Sequence, residues 1–285
     1  MKNENVKIAF WGSSNFSLIV LKELKKLAIF PSILVTTPDK PQGRRMVLTP
    51  TPVKVWGEEN SIECLTPEKL KEESFVKKIS EYNLFIVASY GKIIPNIILD
   101  IPTYKVLNIH PSLLPKYRGP SPLQTQILSG DKEVGVSIMQ IDEEVDHGPI
   151  IIQKEIVLEK FLGFNELEEK MAKVGAELLA ETLPLWIKGK IKATPQNHAD
   201  ASFTKKIEKG DGLIDIQNGN QLENYLKILA FENWPVAFFE INRNNKKIKV
   251  LIKQADFDEQ KINILRVVPE GKNEMNYKDF LRGSK

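Results

Sequence analysis

Two kinds of side chain that stabilise charge and move protons stand close together near the middle of the chain. Asn108-Ile109-His110 sets an amide and an imidazole two positions apart. Alternate residues of a strand share a face, so Asn108 and His110 project together. An amide N–H can donate to the oxyanion that develops when a carbonyl is attacked. An imidazole gains and loses a proton near neutral pH. The pair therefore suits nucleophilic attack on a carbonyl carbon. The spacing alone equally fits a strand-end histidine satisfied by backbone groups. Downstream, Asp142-Glu143-Glu144-Val145-Asp146-His147-Gly148-Pro149 forms an acidic turn between two strand-like runs. If those strands lie side by side, a carboxylate of this turn can meet His110, orient the ring and stabilise its charged form. Asp142 to Glu144 read as a solvated turn, His147 as a loop residue and His198 as exposed and silent.

A second candidate is Thr37-Pro38-Asp39-Lys40-Pro41-Gln42-Gly43-Arg44-Arg45-Met46, leading into Thr49-Pro50-Thr51-Pro52-Val53-Lys54. Lys40, Arg44, Arg45 and Lys54 against Asp39 give a local charge of +3. Long connections inside compact domains are often functional, and basic ones grip phosphates. A plain surface insertion is the alternative.

Other chemistries are poorly supported. The first strand-to-helix turn, Gly12-Ser13-Ser14-Asn15, has one glycine where a dinucleotide fingerprint has three, and no acidic residue closes the second strand, which ends at Thr36-Thr37. No P-loop, HExxH or GxSxG pattern occurs. One cysteine, Cys64, and three histidines do not make a structural zinc site, so no metal is expected.

The elements that must position these residues alternate. Strand-like runs cover 6–11, 32–37, 84–88 and 106–110, with helical spacing over 16–27 and over 67–80, the latter with Thr66 as its cap. This pattern predicts a Rossmann-like open parallel sheet with helices on both faces. A helix is expected over 120–130, strands over 134–140 and 150–157, and a long helix over 165–188. Polar residues 190–203 read as a linker. Beyond it, strand-like runs at 212–216, 236–241, 247–252 and 261–268 surround one helix at 221–231 and suggest a smaller β-rich domain. The expected organisation is a catalytic domain over 1–189, the linker, and a C-terminal domain over 204–285.

The 285 residues carry 40 Lys plus Arg and 37 Asp plus Glu, a net +3. Residues 1–200 hold 25 basic and 25 acidic residues, so the whole excess, 15 against 12, lies in 201–285. That excludes a binder held by bulk charge but not one that meets nucleic acid at a local patch. A lone cysteine, no signal-like h-region and no apolar run near the ~18 residues of a membrane span point to a cytoplasmic protein.

At these residues the chain resembles the methionyl-tRNA formyltransferases. Asn108 to Gly119 (NIHPSLLPKYRG) is similar to the family's active-site strand and following loop. Val145 to Pro149 (VDHGP) is similar to its aspartate segment, and TPDKPQGRR followed by TPTPVK to its inserted tRNA loop. Phe10-Trp11-Gly12, Ala88 to Pro95 and Phe231 to Pro235 (FENWP) also resemble family segments.

The resemblance implies a formyltransferase fold with an abbreviated, OB-like C-terminal domain, strands being expected to be missing between Lys253 and Lys261. It implies transfer of the formyl group of 10-formyltetrahydrofolate to the α-amine of initiator methionyl-tRNA, without a metal, a membrane or an obligate protein partner. Asn108, His110 and Asp146 would be catalytic. Tyr90, Gly91, Ile93 and Ser112, Leu113, Leu114 and Pro115 would bind or shape the folate site. Lys40, Arg44, Arg45, Lys205, Lys206 and Lys246 would meet tRNA. His110-Pro111 and the HPSLLP run also occur in glycinamide ribonucleotide transformylases, so a formyltransferase for that substrate or a sugar nucleotide is the alternative.

Overall fold

The computed structural model describes residues 6–43, 46–243, 246–258 and 260–282. The chain begins with β1 (Ile8–Gly12), α1 (Asn15–Lys26) and β2 (Ile33–Val35), then the hairpin β3 (Lys40–Gln42) and β4 (Val47–Thr49). It continues through α2 (Pro52–Glu59), β5 (Cys64–Leu65), α3 (Glu73–Ile79), β6 (Leu84–Ala88), α4 (Asn96–Leu99) and β7 (Val106–His110). Next come α5 (Pro122–Leu128), β8 (Glu133–Gln140), β9 (Ile150–Val157) and α6 (Phe164–Ile187). The last part holds α7 (Gln221–Ala230), β10 (Phe238–Arg243), β11 (Lys246–Phe257), β12 (Ile262–Pro269), β13 (Met275–Asn276) and α8 (Tyr277–Arg282).

Seven strands form one sheet in the order β5-β2-β1-β6-β7-β8-β9. β1, β6 and β7 are buried along their whole length, which explains their unbroken apolar runs. The pairs β5–β2, β2–β1, β1–β6 and β6–β7 are parallel, and β7–β8 is antiparallel. The sheet is thus mixed rather than wholly parallel. His110 pairs with Ser137 and Leu107 with Gln140, so the connection leaving β7 stays at that strand's carboxyl end. Six residues beyond Gln140, Asp146 is beside His110; the β8–β9 loop therefore doubles back along β7. On the opposite face, α6 crosses Ile109 at Gly175, where an added Cβ would stand 2.5 Å from the Ile109 side chain.

The structure departs from the sequence pattern in three places. The helix expected over 67–80 begins only at Glu73, and Thr66 does not cap it. Lys92 Nζ donates to the carbonyls of Pro67 and Glu68 at 3.0 and 3.2 Å, and Leu70 is buried, which holds this stretch in another conformation. The run 212–216 is a 3-10 turn (Lys209–Gly212) followed by one bridge, Leu213 to Phe238. The Asp215 carboxylate accepts the N–H groups of Gln217 and Asn218, a local turn that competes with a strand. Between Lys253 and Lys261 the end of β11 and a tight turn lead into β12, with Asp258 accepting the N–H groups of Gln260 and Lys261.

Contacts divide the chain into two units. The first comprises Met1–Pro120, Gly135–Ile156 and Glu168–Phe203. Part of its core is a cluster of Trp11, Phe75, Phe85, Tyr90 and their aliphatic neighbours. The second comprises Ser121–Val134, Val157–Leu167 and Thr204–Lys285. Within it β10-β11-β12-β13 make an antiparallel sheet over a core that includes Phe239, Val250, Val267 and Phe280, and α5 packs against α7. Four strands among the described residues are one short of an OB barrel.

Candidate active site

β7 carries Asn108 and His110 on the face over which the β8–β9 loop folds, both buried. His110 Nδ1 lies 3.6 Å from Asp146 Oδ1, and His110 Nε2 lies 3.0 Å from the Tyr117 carbonyl. A carbonyl accepts only, so Nε2 donates. Both ring nitrogens thus face oxygen acceptors. The second carboxylate oxygen of Asp146 accepts the Gly119 N–H at 2.8 Å. Asp146 itself sits at φ +50°, in the left-handed region. Next to it, Gly148 runs so close to β8 that a Cβ there would stand 2.0 Å from the Gln140 carbonyl oxygen.

The loop after His110 is pinned from below. Ser137 Oγ on β8 donates to the Ser112 carbonyl at 2.6 Å and accepts the Leu114 N–H at 3.0 Å. Gln153 donates to the Leu114 carbonyl and to Ser137 Oγ. Ser112 Oγ donates to the Lys116 carbonyl at 2.7 Å. Ser112 and Leu114 are buried, whereas Leu113 and Pro115 remain partly exposed. Ser112 and Leu114 therefore set the loop's shape from inside. Ser137 is the polar interruption in the apolar run of β8, the one local sign in sequence that a loop would be anchored there.

Beside this site, the turn after β6 presents Gly91 and Ile93 at the surface, Ile93 77% exposed. The Tyr90 ring points inward, edge-on to Trp11 at 5.2 Å, and burial pushes its phenol up. Asn96 at the start of α4 donates to Glu143 of the acidic loop. Ile97 and Val145, on either side of that link, are exposed.

The other two histidines meet each other. His147 Nδ1 lies 2.7 Å from Asp142 Oδ2, and its ring stacks on His198 at 4.1 Å and 3°. His198 Nδ1 lies 3.0 Å from Arg118 Nη2. His198 is exposed, as expected, but is not without contacts. Cys64 is no candidate nucleophile, since burial pushes its thiol up to about 11.

The basic loop is a hairpin on a fixed base. Thr51 caps α2, with Pro52 at its first position, and its hydroxyl meets Thr36 at 2.8 Å. Lys54 is held by both oxygens of Asp39, which raises its pKa, so it is already paired within the loop. Lys40 is exposed on β3, and Met46, Val47 and Leu48 are exposed at the far end. Arg44 and Arg45 lie outside the described residues. In the second unit Lys205 and Lys206 are exposed, the Lys205 carbonyl being held by Ser121. Lys246 opens β11 and is exposed.

Residues 6–183 match the family model described as formyl transferase. The sequence is similar to the methionyl-tRNA formyltransferase of Halalkalibacterium halodurans, with 34% identity over 302 residues, 98% of this chain and 95% of the relative. Among solved structures, methionyl-tRNA formyltransferase from Clostridium thermocellum matches with a TM-score of 0.61 at 16% identity, over 95% of this chain and 99% of that one. HypX from Aquifex aeolicus in complex with tetrahydrofolic acid matches with a TM-score of 0.67 at 16% identity, over 98% of this chain and 47% of that one. These two likenesses concern the fold.

Proposed function

The chain belongs to the methionyl-tRNA formyltransferase family, and from that premise we propose how its own residues carry the reaction. It is a formyltransferase of translation initiation, moving a formyl group to the α-amine of methionyl-initiator tRNA. The co-substrate 10-formyltetrahydrofolate supplies the formyl carbon and leaves as tetrahydrofolate.

Asn108 donates a hydrogen bond to the oxygen that gains charge as the amine attacks the formyl carbon, and the His110 Nε2–H joins it by giving up the Tyr117 carbonyl it meets in the free site. Asp146 keeps His110 oriented and balances the charge that the ring gains when it takes up a proton during transfer. The site must also carry a proton from the attacking amine towards the departing N10, and the His110–Asp146 pair is placed to relay it. Gly91, Ile93 and the partly exposed Leu113 and Pro115 bound the surface for the pterin. Ser112 and Leu114 hold that surface from within, and Tyr90 supports it from the core. Lys40, Arg44 and Arg45 of the hairpin, with Lys205 and Lys206, meet the tRNA backbone. The reaction belongs to the cytoplasm, where charged initiator tRNA is used; among the described residues no helix is long and apolar enough to cross a membrane.

The observation that carries this reading is the meeting of His110 and Asp146 at the carboxyl end of a central strand, where open α/β sheets place ligands. The test is one assay. The protein is incubated with 10-formyltetrahydrofolate and charged initiator or elongator tRNA. Formylation of the initiator alone is expected. No formylation of it overturns the reading, and equal formylation of both overturns initiator selectivity.

A further inference from the structure

Arg118 is a cation in the interior, 3% exposed. A buried guanidinium is costly unless its donors are met. Its Nε and Nη2 both donate to Gln196 Oε1, at 3.1 and 2.6 Å, and Nη2 also donates to His198 Nδ1 at 3.0 Å. A guanidinium only donates, so it dictates which end of the Gln196 amide faces it. The NH2 group must point the other way. There it donates to the carbonyls of Asp146 and Gly148, at 2.9 and 2.7 Å.

Those carbonyls fix the chain where it leaves the turn that holds Asp146 at φ +50°, one being Asp146's own and the other lying two residues on. A non-glycine residue keeps that conformation only when its surroundings enforce it. We propose that Arg118 and Gln196 are positioning residues that lock the Asp146 main chain, so that its carboxylate faces His110 and the Gly119 N–H. The proposal rests on the reading above that the His110–Asp146 pair serves formyl transfer. His198 closes the outer side of the guanidinium, stacked on His147. Gln196 lies in a polar segment, and its burial comes from tertiary structure alone.

Gln196→Glu separates positioning from packing. The carboxylate still accepts from Arg118, so the cation stays paired, but it has no N–H for the carbonyls of Asp146 and Gly148. We expect kcat for formylation to fall about tenfold or more, with KM for both substrates within about twofold. In an Asp146→Ala background the same change should cost less than about twofold, because nothing is left to position. A merely structural role would cost the same factor in both backgrounds, and that result, or an unchanged kcat in the first, overturns the proposal.

A readout independent of turnover is hydrogen exchange at the Gly119 amide, which Asp146 covers. Its rate should rise about tenfold or more in Gln196→Glu while the β7 and β8 amides stay protected. Wild-type protection at Gly119 overturns the clamp even if the enzyme proves to use another substrate. A wild-type protein that formylates nothing, with Gly119 deprotected in the variant, overturns the functional reading and leaves the clamp standing. Should Gln196→Glu fail to fold, Arg118→Lys, which keeps the charge but loses the fork, is put through the same cycle with the same expected non-additivity.

Discussion

His110 Nδ1 stands 3.6 Å from Asp146 Oδ1, an ion-pair distance slightly too long for a hydrogen bond. Catalytic contacts are often loose in the free enzyme and tighten on substrate binding. The other Asp146 oxygen is already engaged by the Gly119 N–H, so the carboxylate is oriented before any ligand arrives. Asp146→Asn keeps an oxygen for Gly119 and removes the charge. It should lower kcat by about 10²–10⁴-fold and leave the melting temperature and tRNA binding nearly unchanged. Initial rates, thermal melts and a tRNA filter-binding assay check this; a large loss of tRNA binding would show the residue misassigned. His110→Ala should behave alike, with a modest stability cost because it leaves a cavity under the loop.

Asn108 shares the face of β7 with His110 and, in the proposed mechanism, donates to the same oxyanion. Asn108→Ala removes one donor to the developing oxyanion, which typically costs about 10²–10³-fold in kcat. Substrate KM values should hardly move, since the interaction strengthens only in the transition state. Steady-state kinetics on both substrates decides it; a loss confined to KM would make Asn108 a ground-state binding residue.

β6 and β7 were legible in the sequence to the residue because strands buried on both faces need unbroken apolar runs. The shared face of Asn108 and His110 followed from strand alternation alone. What stayed hidden depends on partners distant in sequence. Lys92 takes carbonyls more than 20 residues away and shortens α3, a competition that no helical periodicity reveals. Gln196 sits among polar residues that read as a linker, yet it is buried because Arg118 and two turn carbonyls need it. Asp39 enters the loop's net charge in the sequence, but that it takes Lys54 and not Lys40 or an arginine is set by the fold.

The hairpin prediction concerns salt. Lys54 is paired with Asp39, so the proposed tRNA contacts of this loop fall to Lys40, Arg44 and Arg45. Arg44→Ala should raise KM for tRNA and change kcat little. Measured against salt, the slope of log affinity should become shallower by about 0.7–0.9, the loss of one phosphate contact. An unchanged KM and slope would remove Arg44 from the tRNA interface.

Tyr90 illustrates a side chain whose place in the core limits its role. Its hydroxyl is buried beside Trp11 and has no hydrogen-bond partner among the described residues. Removing an unpartnered buried hydroxyl relieves a desolvation cost of about 1 kcal/mol or more. Tyr90→Phe should therefore raise the melting temperature by roughly 2–4 °C for a chain of this size. The KM for 10-formyltetrahydrofolate should stay the same, because the hydroxyl does not reach the surface. A clear rise in that KM would mean that the folate reaches the hydroxyl after all.

Glu168 on α6 gives a pH-dependent prediction away from the chemistry. Burial raises its pKa, only partly offset by the Asn15 side chain, which donates at 2.6 Å, and by the Phe16 N–H. A carboxyl whose pKa is higher in the folded than in the unfolded chain favours folding while it is protonated in both states. That contribution is lost as pH rises through the folded value. Above that folded value the protein holds a carboxylate that its surroundings disfavour. Glu168→Gln keeps an oxygen for Asn15 and Phe16 and removes the charge. It should stabilise the protein at pH 7, with the gain shrinking as pH falls towards the ordinary glutamate range. Urea unfolding at several pH values measures this; a variant less stable at pH 7 would mean that the two donors outweigh the burial of the charge.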